Sequence, residues 1–208
     1  MVFLASTVSL AEIPLPSYRD DLALTSWYEV NDRIEDACLR DRETQQCVGW
    51  DGEILDDAIA MADRFQDYLY RDARLEYLTG LAYKLSNNNS KAKARYRAAV
   101  HLDPNRVDAW HDLGEVYLAD GQFDQAKEAF SQVNSLLPTG PKAWVGPWRL
   151  AEVAAHQQDP VAFEEQMREA LRRGFSFRQI EGLPNWKAFY ADPVMGDSVA
   201  KLITVYGS

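Results

Sequence analysis

Residues 107–140 have the sequence VDAWHDLGEVYLADGQFDQAKEAFSQVNSLLPTG, and residues 73–106 have the sequence ARLEYLTGLAYKLSNNNSKAKARYRAAVHLDPNR. Aligned without a gap, the two 34-residue stretches match in residue character at these pairs: Gly80 and Gly114, Tyr83 and Tyr117, Ala92 and Ala126, Tyr96 and Phe130, Ala99 and Val133, Pro104 and Pro138. A period of this length is typical of a repeat made of two helices joined by a turn. The chain is therefore predicted to contain a helical repeat.

The spacing of apolar and small residues in 107–140 supports this prediction. Trp110, Leu113, Gly114 and Tyr117 are three or four residues apart, so they share one face of a helix. The sequence DGQ at 120–122 interrupts the apolar pattern, as a turn does. The proline near the end of each stretch favours the end of the second helix, because the residue before proline is disfavoured in helical conformation. We interpret these residues as core packing.

The second stretch carries a pattern that resembles the tetratricopeptide repeat family: Trp110-x-x-Leu113-Gly114-x-x-Tyr117, then Ala126, Phe130 and Pro138. The resemblance implies an all-α fold, a right-handed superhelical solenoid of helical hairpins. One helical pair cannot bury its apolar face alone, so further pairs are expected on both sides. The family resemblance also implies that the protein binds another protein or a peptide.

The chain divides into these predicted units: 1–11, a remnant of an export signal; 12–72, a divergent helical pair with an inserted loop at 40–53; 73–106 and 107–140, two repeats; 144–177, a degenerate repeat; and 178–208, capping helices. In the N-terminal pair, residues 24–39 and 56–70 are the expected helices. The tail resembles the cap that often follows tetratricopeptide arrays, with aromatic residues covering the last apolar face.

The degenerate repeat allows two alignments. We align Leu150 with Leu113, which places small and apolar residues at the remaining core positions. A rival register would align Trp144 with Trp110, but it would put the bulky Trp148 at the position of the repeat's glycine. The first register is therefore preferred.

Composition limits the classes of function. The 208 residues are 47% hydrophobic, enough to bury a continuous core. The net charge of -10 argues against a nucleic-acid scaffold, because phosphate binding depends on Lys and Arg. We interpret the basic cluster Lys91, Lys93, Arg95 and Arg97 as solvated helix surface. An acidic surface suits partners that are neutral or locally basic.

Motifs for catalysis or metal binding are not found. His101, His111 and His156 lack metal-ligand spacing, and no glycine-rich phosphate loop or nucleophile elbow is present. No segment reaches the roughly 20 apolar residues needed to span a bilayer. We predict a protein without enzymatic activity, cofactor or metal.

The two cysteines bear on the compartment. Cys38 and Cys47 bracket the inserted loop, and a disulfide between them would contribute about 2 to 4 kcal/mol by restricting the unfolded chain. Disulfides persist in oxidising compartments, and the apolar start of the chain ends in the small residues of an export signal. We therefore expect a disulfide and a periplasmic or extracellular location. The alternative is a cytoplasmic protein with two unrelated thiols.

In tetratricopeptide repeats the first helix of each pair lines the concave face, which implies a candidate partner-binding site. By our alignment these positions are Arg74, Tyr77, Leu81, Lys84, Asp108, His111, Glu115, Leu118, Val145, Trp148, Glu152 and Ala155. Tyr77 and Trp148 would be aromatic anchors, and the charged residues would fix the register of an extended peptide or helix. Ordinary solvated surface is the alternative. Glu115 would repel a C-terminal carboxylate, which disfavours the carboxylate clamp of some family members.

The sequence thus predicts a non-catalytic adaptor that helps assemble or hold a cell-envelope complex. One alternative is a small-ligand or enzymatic site between the inserted loop 40–53 and the aromatic residues of 175–189. Another is self-association through an exposed helix face. Repeat folds host many functions, so the pattern alone does not identify the partner.

Overall fold

The computed structural model describes residues 18–69, 71–179 and 184–207, so the predicted export-signal remnant at 1–11 lies outside the described residues. The described part is a series of helices: α1 (Tyr18–Asp36), α2 (Gly52–Leu69), α3 (Ala73–Leu85), α4 (Asn89–Leu102), α5 (Val107–Ala119), α6 (Phe123–Leu136), α7 (Val145–His156), α8 (Pro160–Arg172), α9 (Pro184–Ala191) and α10 (Pro193–Tyr206). From α1 to α8 each helix packs on the next, and α10 packs on both α8 and α9. The all-α solenoid predicted from the repeat is confirmed. None of these described helices has the length and apolar content to cross a membrane.

The two central pairs, α3 with α4 and α5 with α6, are held by a ring packed on a glycine. A Cβ added at Gly80 would lie 2.7 Å from ring carbons of Tyr96, and one at Gly114 would lie 2.5 Å from Phe130. Tyr96 and Phe130 are fully buried. The missing glycine side chain therefore lets the two helices of each pair approach closely enough to enclose the ring.

The turn inside each pair has a residue with left-handed backbone conformation. These residues are Asn87 (φ 58°), Gly121 (φ 70°) and Gln158 (φ 58°). The sequence separation between Gly121 and Gln158 equals the separation between Leu113 and Leu150. The position of the turn therefore agrees with our preferred register for the third pair. Phe163 of α8, which in this register aligns with the small residue Ala126 of α6, is fully buried. The unit boundaries given above remain our proposal.

The N-terminal pair consists of α1 and α2, which pack through Val30, Ile34, Ala58 and Ala62. Between them, where a loop was expected at 40–53, the chain forms a β-hairpin. Its strands are β1 (Cys38–Arg40) and β2 (Cys47–Trp50), paired antiparallel. They are too short to show an alternating pattern in the sequence.

The hairpin is closed by its turn and by a covalent link. Asp41 Oδ1 accepts hydrogen bonds from the backbone N–H of Thr44 at 2.8 Å and from its hydroxyl at 2.9 Å. The predicted disulfide between Cys38 and Cys47 is present, with the two Cα atoms 5.6 Å apart. The inserted segment between α1 and α2 is therefore constrained both by its turn and by a disulfide.

The C-terminal helices cover the last apolar face of the solenoid. The cap aromatics Phe175, Phe177, Trp186 and Phe189 are buried together against α7 and α8. Asp192 accepts hydrogen bonds from two backbone N–H groups in the first turn of α10 and so caps that helix. The interpretation of these aromatics as core agrees with their burial.

We expect Gly114→Ala to destabilise the protein by about 1 to 3 kcal/mol, because the added methyl group would overlap Phe130. Gly52→Ala is the matched control: a Cβ there meets no atom within 4 Å. Denaturant unfolding followed by circular dichroism measures both changes. Equal stability of the Gly114→Ala protein and the wild type would contradict the glycine–ring packing.

Candidate partner-binding site

Polar side chains from α3 and α5 meet on the concave face, which is formed by α3, α5 and α7. Lys84 on α3 donates to Asp112 Oδ1 at 3.3 Å and also to the carboxylate of Glu115. The Tyr77 hydroxyl donates to the second oxygen of Asp112 at 3.2 Å. Residues that belong to successive repeats are therefore joined directly.

Arg149 on α7 continues these contacts. Its guanidinium donates to Glu115, to Glu152 Oε2 at 2.8 Å, and through Nε to His111 Nε2 at 3.1 Å. Because His111 Nε2 accepts, Nδ1 is the ring nitrogen that carries hydrogen, and it lies 3.4 Å from Asp112 Oδ1. We call the seven connected side chains the concave network: Tyr77, Lys84, His111, Asp112, Glu115, Arg149 and Glu152.

The electrostatics of the network favour its charged form. Burial would raise the pKa of Asp112, but the His111 hydrogen bond and the Lys84 charge lower it below its ordinary value. Burial likewise acts to raise the pKa of Glu115, and the charges of Arg149 and Lys84 lower it. Burial would lower the pKa of Lys84, but its two carboxylate partners raise it. These three groups are therefore ionised at neutral pH.

Five of the predicted concave residues lie in this network: Tyr77, Lys84, His111, Glu115 and Glu152. Their polar groups contact other parts of the same chain, so they already have partners before any ligand binds. Whether they also bind a partner remains a prediction.

Trp148, which we predicted as an aromatic anchor, is buried. Its side chain is only 9% exposed, because it stacks on Phe175 and on Trp186 of the cap, with ring centroids 6.2 and 6.4 Å away. The guanidinium of Arg149 covers it from another direction, 4.2 Å from the ring centroid. Glu152 is also buried, at 3% exposure, and pairs with Arg149.

The remaining predicted residues have varied surroundings. Arg74 pairs with Asp72 at the start of its own helix. Ala155 is fully buried, and Leu81 and Leu118 pack partly buried in apolar clusters. Asp108 is exposed and pairs with Arg106.

Two network members, Asp112 and Arg149, were missed from the sequence. Each follows directly after a predicted concave position, and the two occupy equivalent places in the preferred alignment. Asp112 and Arg149 carry opposite charges at equivalent positions of two successive repeats. A position-by-position comparison of charge between the repeats would have detected this.

His111, Asp112 and Glu115 offer ligand atoms within 4.8 Å of one another, a spacing that could suit a metal ion. The carboxylates, however, are already paired with Lys84 and Arg149. A metal ion would have to displace both cations, so the charge balance does not favour a metal site here.

A groove of about 800 Å³ lies beside the network at the N-terminal end of α5. We call it the α5 groove. Its lining includes Tyr77, Arg106, Asp108, His111, Lys142, Trp144 and Val145, four of which are predicted concave positions. It thus combines aromatic surface with both signs of charge.

Arg106 lines this groove, and one nitrogen of its guanidinium makes no hydrogen bond among the described residues. Its guanidinium lies 5.7 Å from the centroid of the Tyr77 ring, and Nη1 donates to Asp108 Oδ2 at 2.9 Å. Its Nε is buried, lies 4.0 Å from Asp103 Oδ2, and has no hydrogen-bond partner among the described residues. Such a nitrogen needs a hydrogen-bond acceptor, which water or a ligand in the groove would supply.

The alternative site between the inserted loop and the cap is not supported. The hairpin lies between α1 and α2, whereas the cap packs on α8 at the other end of the helix series. The cap aromatics are buried in their own core. Among the described residues, the two segments therefore pack against different helices.

Replacing Glu115 by Gln should lower the free energy of unfolding at pH 7 by about 1 to 3 kcal/mol, because Lys84 and Arg149 lose their shared partner. The folded-state pKa of Glu115 is lowered, so the stabilisation is complete above its ordinary value of 4.5 and is lost as pH falls through the folded value.

The difference between the wild type and Glu115→Gln should therefore shrink as pH is lowered from about 5. Denaturant unfolding at several pH values measures it. Glu165→Gln, on the exposed side of α8, is the control and should change stability by less than about 0.5 kcal/mol. A difference that stays constant down to pH 3 would contradict the ion-pair explanation.

Comparison with known proteins agrees with this architecture. The family model described as tetratricopeptide repeat matches residues 85–146. Tetratricopeptide repeat protein 37 of Xenopus laevis is 26% identical over 125 residues, which are 55% of this chain and 8% of that protein. Superkiller complex protein 3 of Homo sapiens is 36% identical over 59 residues, 28% of this chain and 4% of that protein. The chain thus spans less than a tenth of the length of these relatives.

Two solved structures show the same fold. The crystal structure of MamA protein superposes with a TM-score of 0.54 at 17% identity, covering 80% of this chain and 82% of that chain. A Podosopora anserina putative kinesin light chain with TPR-like repeats gives 0.57 at 14% identity, covering 91% and 87%. Such repeats form scaffolds for protein–protein interaction and are generally non-catalytic. The repeat pattern, the helical pairs and the matching family model together show that this chain contains tetratricopeptide repeats, with residues 85–146 matched by the family model.

Proposed function

We propose that the chain is a non-catalytic scaffold that binds an extended segment of a partner protein in the α5 groove. The single observation that carries this proposal is the open α5 groove of about 800 Å³, in which the rings of Tyr77 and Trp144 adjoin the guanidinium of Arg106. A backbone carbonyl of a bound peptide would accept from it. An extended peptide presents such carbonyls at regular intervals.

The surroundings of Arg106 support a peptide ligand. Tyr77 and Trp144 supply aromatic surface, and exposed Asp108 and Lys142 supply charges of opposite sign at the rim. Apolar anchors would contribute most of the affinity, and rim charges would select the peptide and its direction. Trp144 replaces Trp148 as the second anchor in this proposal, because Trp148 is buried under the cap.

We further propose that the scaffold acts in assembling or holding a complex of the cell envelope. Support comes from the disulfide between Cys38 and Cys47, since disulfides persist in oxidising compartments. Disulfides are rare in cytoplasmic proteins, because thiols are kept reduced there. The nature of the complex follows from the partner, which the peptide experiment below would characterise.

Peptides selected from a random displayed library on the wild-type protein should bind in the α5 groove. Lys142→Glu should weaken their binding about tenfold or more, because it reverses a rim charge. Lys127→Glu, an exposed lysine of α6 outside the groove, makes the same change in net charge and should have little effect. Fluorescence anisotropy of labelled peptides measures both.

Two results would contradict the groove proposal. One is a library selection that enriches no peptide. The other is a set of peptides that bind the wild type and the Lys142→Glu protein equally well, since those peptides would occupy another surface.

The location is tested with the cysteines. When native cells are treated with an alkylating reagent before lysis and denaturation, the two cysteines should remain unmodified, and both should react after reduction. Intact-mass spectrometry measures the added mass. Alkylation of both cysteines without reductant would remove the support for an oxidising compartment.

A further inference from the structure

A second groove, on the opposite face of α5, lies between α4 and α6. It encloses about 1190 Å³, and we call it the outer groove. Its floor is formed by Trp110, Leu113 and Tyr117 of α5, and its walls include Ala98 of α4 and Ala129 of α6. Small wall residues leave space at the level of the helix surfaces, so a further helix can approach closely.

A row of basic residues follows the α4 wall. Lys93, Arg97 and His101 are four residues apart, so they line up along one side of the helix. Lys93 is occupied, since its Nζ lies 2.6 Å from Asp120 Oδ2 and 2.7 Å from Gln122 Oε1. Arg97 and His101 are exposed and have no hydrogen bond or ion pair among the described residues.

The structure divides the basic cluster that the sequence presented as one solvated surface. Arg95 faces away from the groove and pairs with Asp63 and Glu76. Arg97 lines the groove and has no ion pair among the described residues, and Glu128 of α6 also lines the groove. In a chain of net charge -10, the unpaired charge of Arg97 favours a partner whose matching surface is acidic.

The floor of the groove is apolar and fixed in place. The indole N–H of Trp110 donates to the backbone oxygen of Pro104 at 2.9 Å, so its polar group is already used. Leu102 extends the apolar surface at one end, where its side chain is 42% exposed. A ligand for this groove therefore needs an apolar stripe beside its acidic residues.

We infer that the outer groove binds an amphipathic helix of another protein, with carboxylates four residues apart facing Arg97 and His101. Four residues advance about 6 Å along any α-helix, so acidic residues on the partner would match the basic row of α4. An adjacent apolar stripe would contact Trp110, Leu113 and Tyr117. This inference does not depend on the α5 groove, since the two grooves share none of the residues changed in their tests.

The test uses two labelled synthetic helical peptides that share one leucine stripe. One carries glutamates at four-residue spacing beside the stripe, and the other carries lysines at the same places. The glutamate peptide should bind the wild-type protein at least about tenfold more tightly than the lysine peptide. Higher salt should weaken its binding.

Two variants place the binding in the outer groove. Arg97→Glu reverses a charge at an exposed position without described partners, so the fold should be kept, and it should weaken binding of the glutamate peptide about tenfold. Ala98→Trp should fill the groove and also weaken binding. Arg64→Glu, on the exposed side of α2 and outside the groove, makes the same charge change as Arg97→Glu and should leave binding unchanged.

Several results would overturn the inference. Equal binding of the two peptides, or unchanged binding by Arg97→Glu, would show that the basic row does not select an acidic helix. Concentration-dependent self-association in sedimentation, abolished by Arg97→Glu, would make a second copy of the chain the occupant. A labelled RNA oligonucleotide that bound through Arg97 while the glutamate peptide did not would assign the groove to nucleic acid.

Discussion

The carboxylate of Glu115 lies between two cations, Lys84 from the preceding helical pair and Arg149 from the following one. One side chain therefore connects three successive pairs across the concave face. The helices that carry these side chains belong to tightly packed pairs, in which Phe130 is enclosed on Gly114. The charges are partly withdrawn from water, and removing one partner leaves the others uncompensated. The network therefore fixes the relative placement of α3, α5 and α7.

This arrangement separates support from recognition. Lys84, Glu115 and Glu152, which the family resemblance placed on the concave face, form ion pairs within the chain, and Trp148 is covered by the cap. The candidate groups for binding a partner are the guanidinium groups of Arg106 in the α5 groove and Arg97 in the outer groove. Both grooves use α5, on opposite faces. The two proposals together describe a rigid central helix with an extended peptide on one side and a partner helix on the other.

The glycine–ring packing was predictable from the sequence because it depends on residues at fixed spacing. Gly114 and Phe130 recur one repeat earlier as Gly80 and Tyr96, so the pattern itself reports the contact. The hairpin was not predictable, because its strands of three and four residues carry no alternation and its pairing depends on the turn at Asp41.

The candidate site was predictable only in part, for a physical reason. Repeat spacing gives the face on which a residue lies, but the direction of a long side chain depends on its neighbours in space. Arg149 turns toward Glu115, and Trp148 is buried because aromatic residues near 175 and 186, far along the chain, close over it. Such contacts are not encoded in the local period.

A double-mutant cycle on Glu115 and Arg149 tests the central claim most directly. The free energy of unfolding would be measured at pH 7 for the wild type, Glu115→Gln, Arg149→Met and the double variant. We predict a coupling energy of about 1 to 3 kcal/mol, because either single change breaks the same interhelical ion pair. Effects that add to within about 0.3 kcal/mol would show that the pair does not hold α5 and α7 together and would contradict the account.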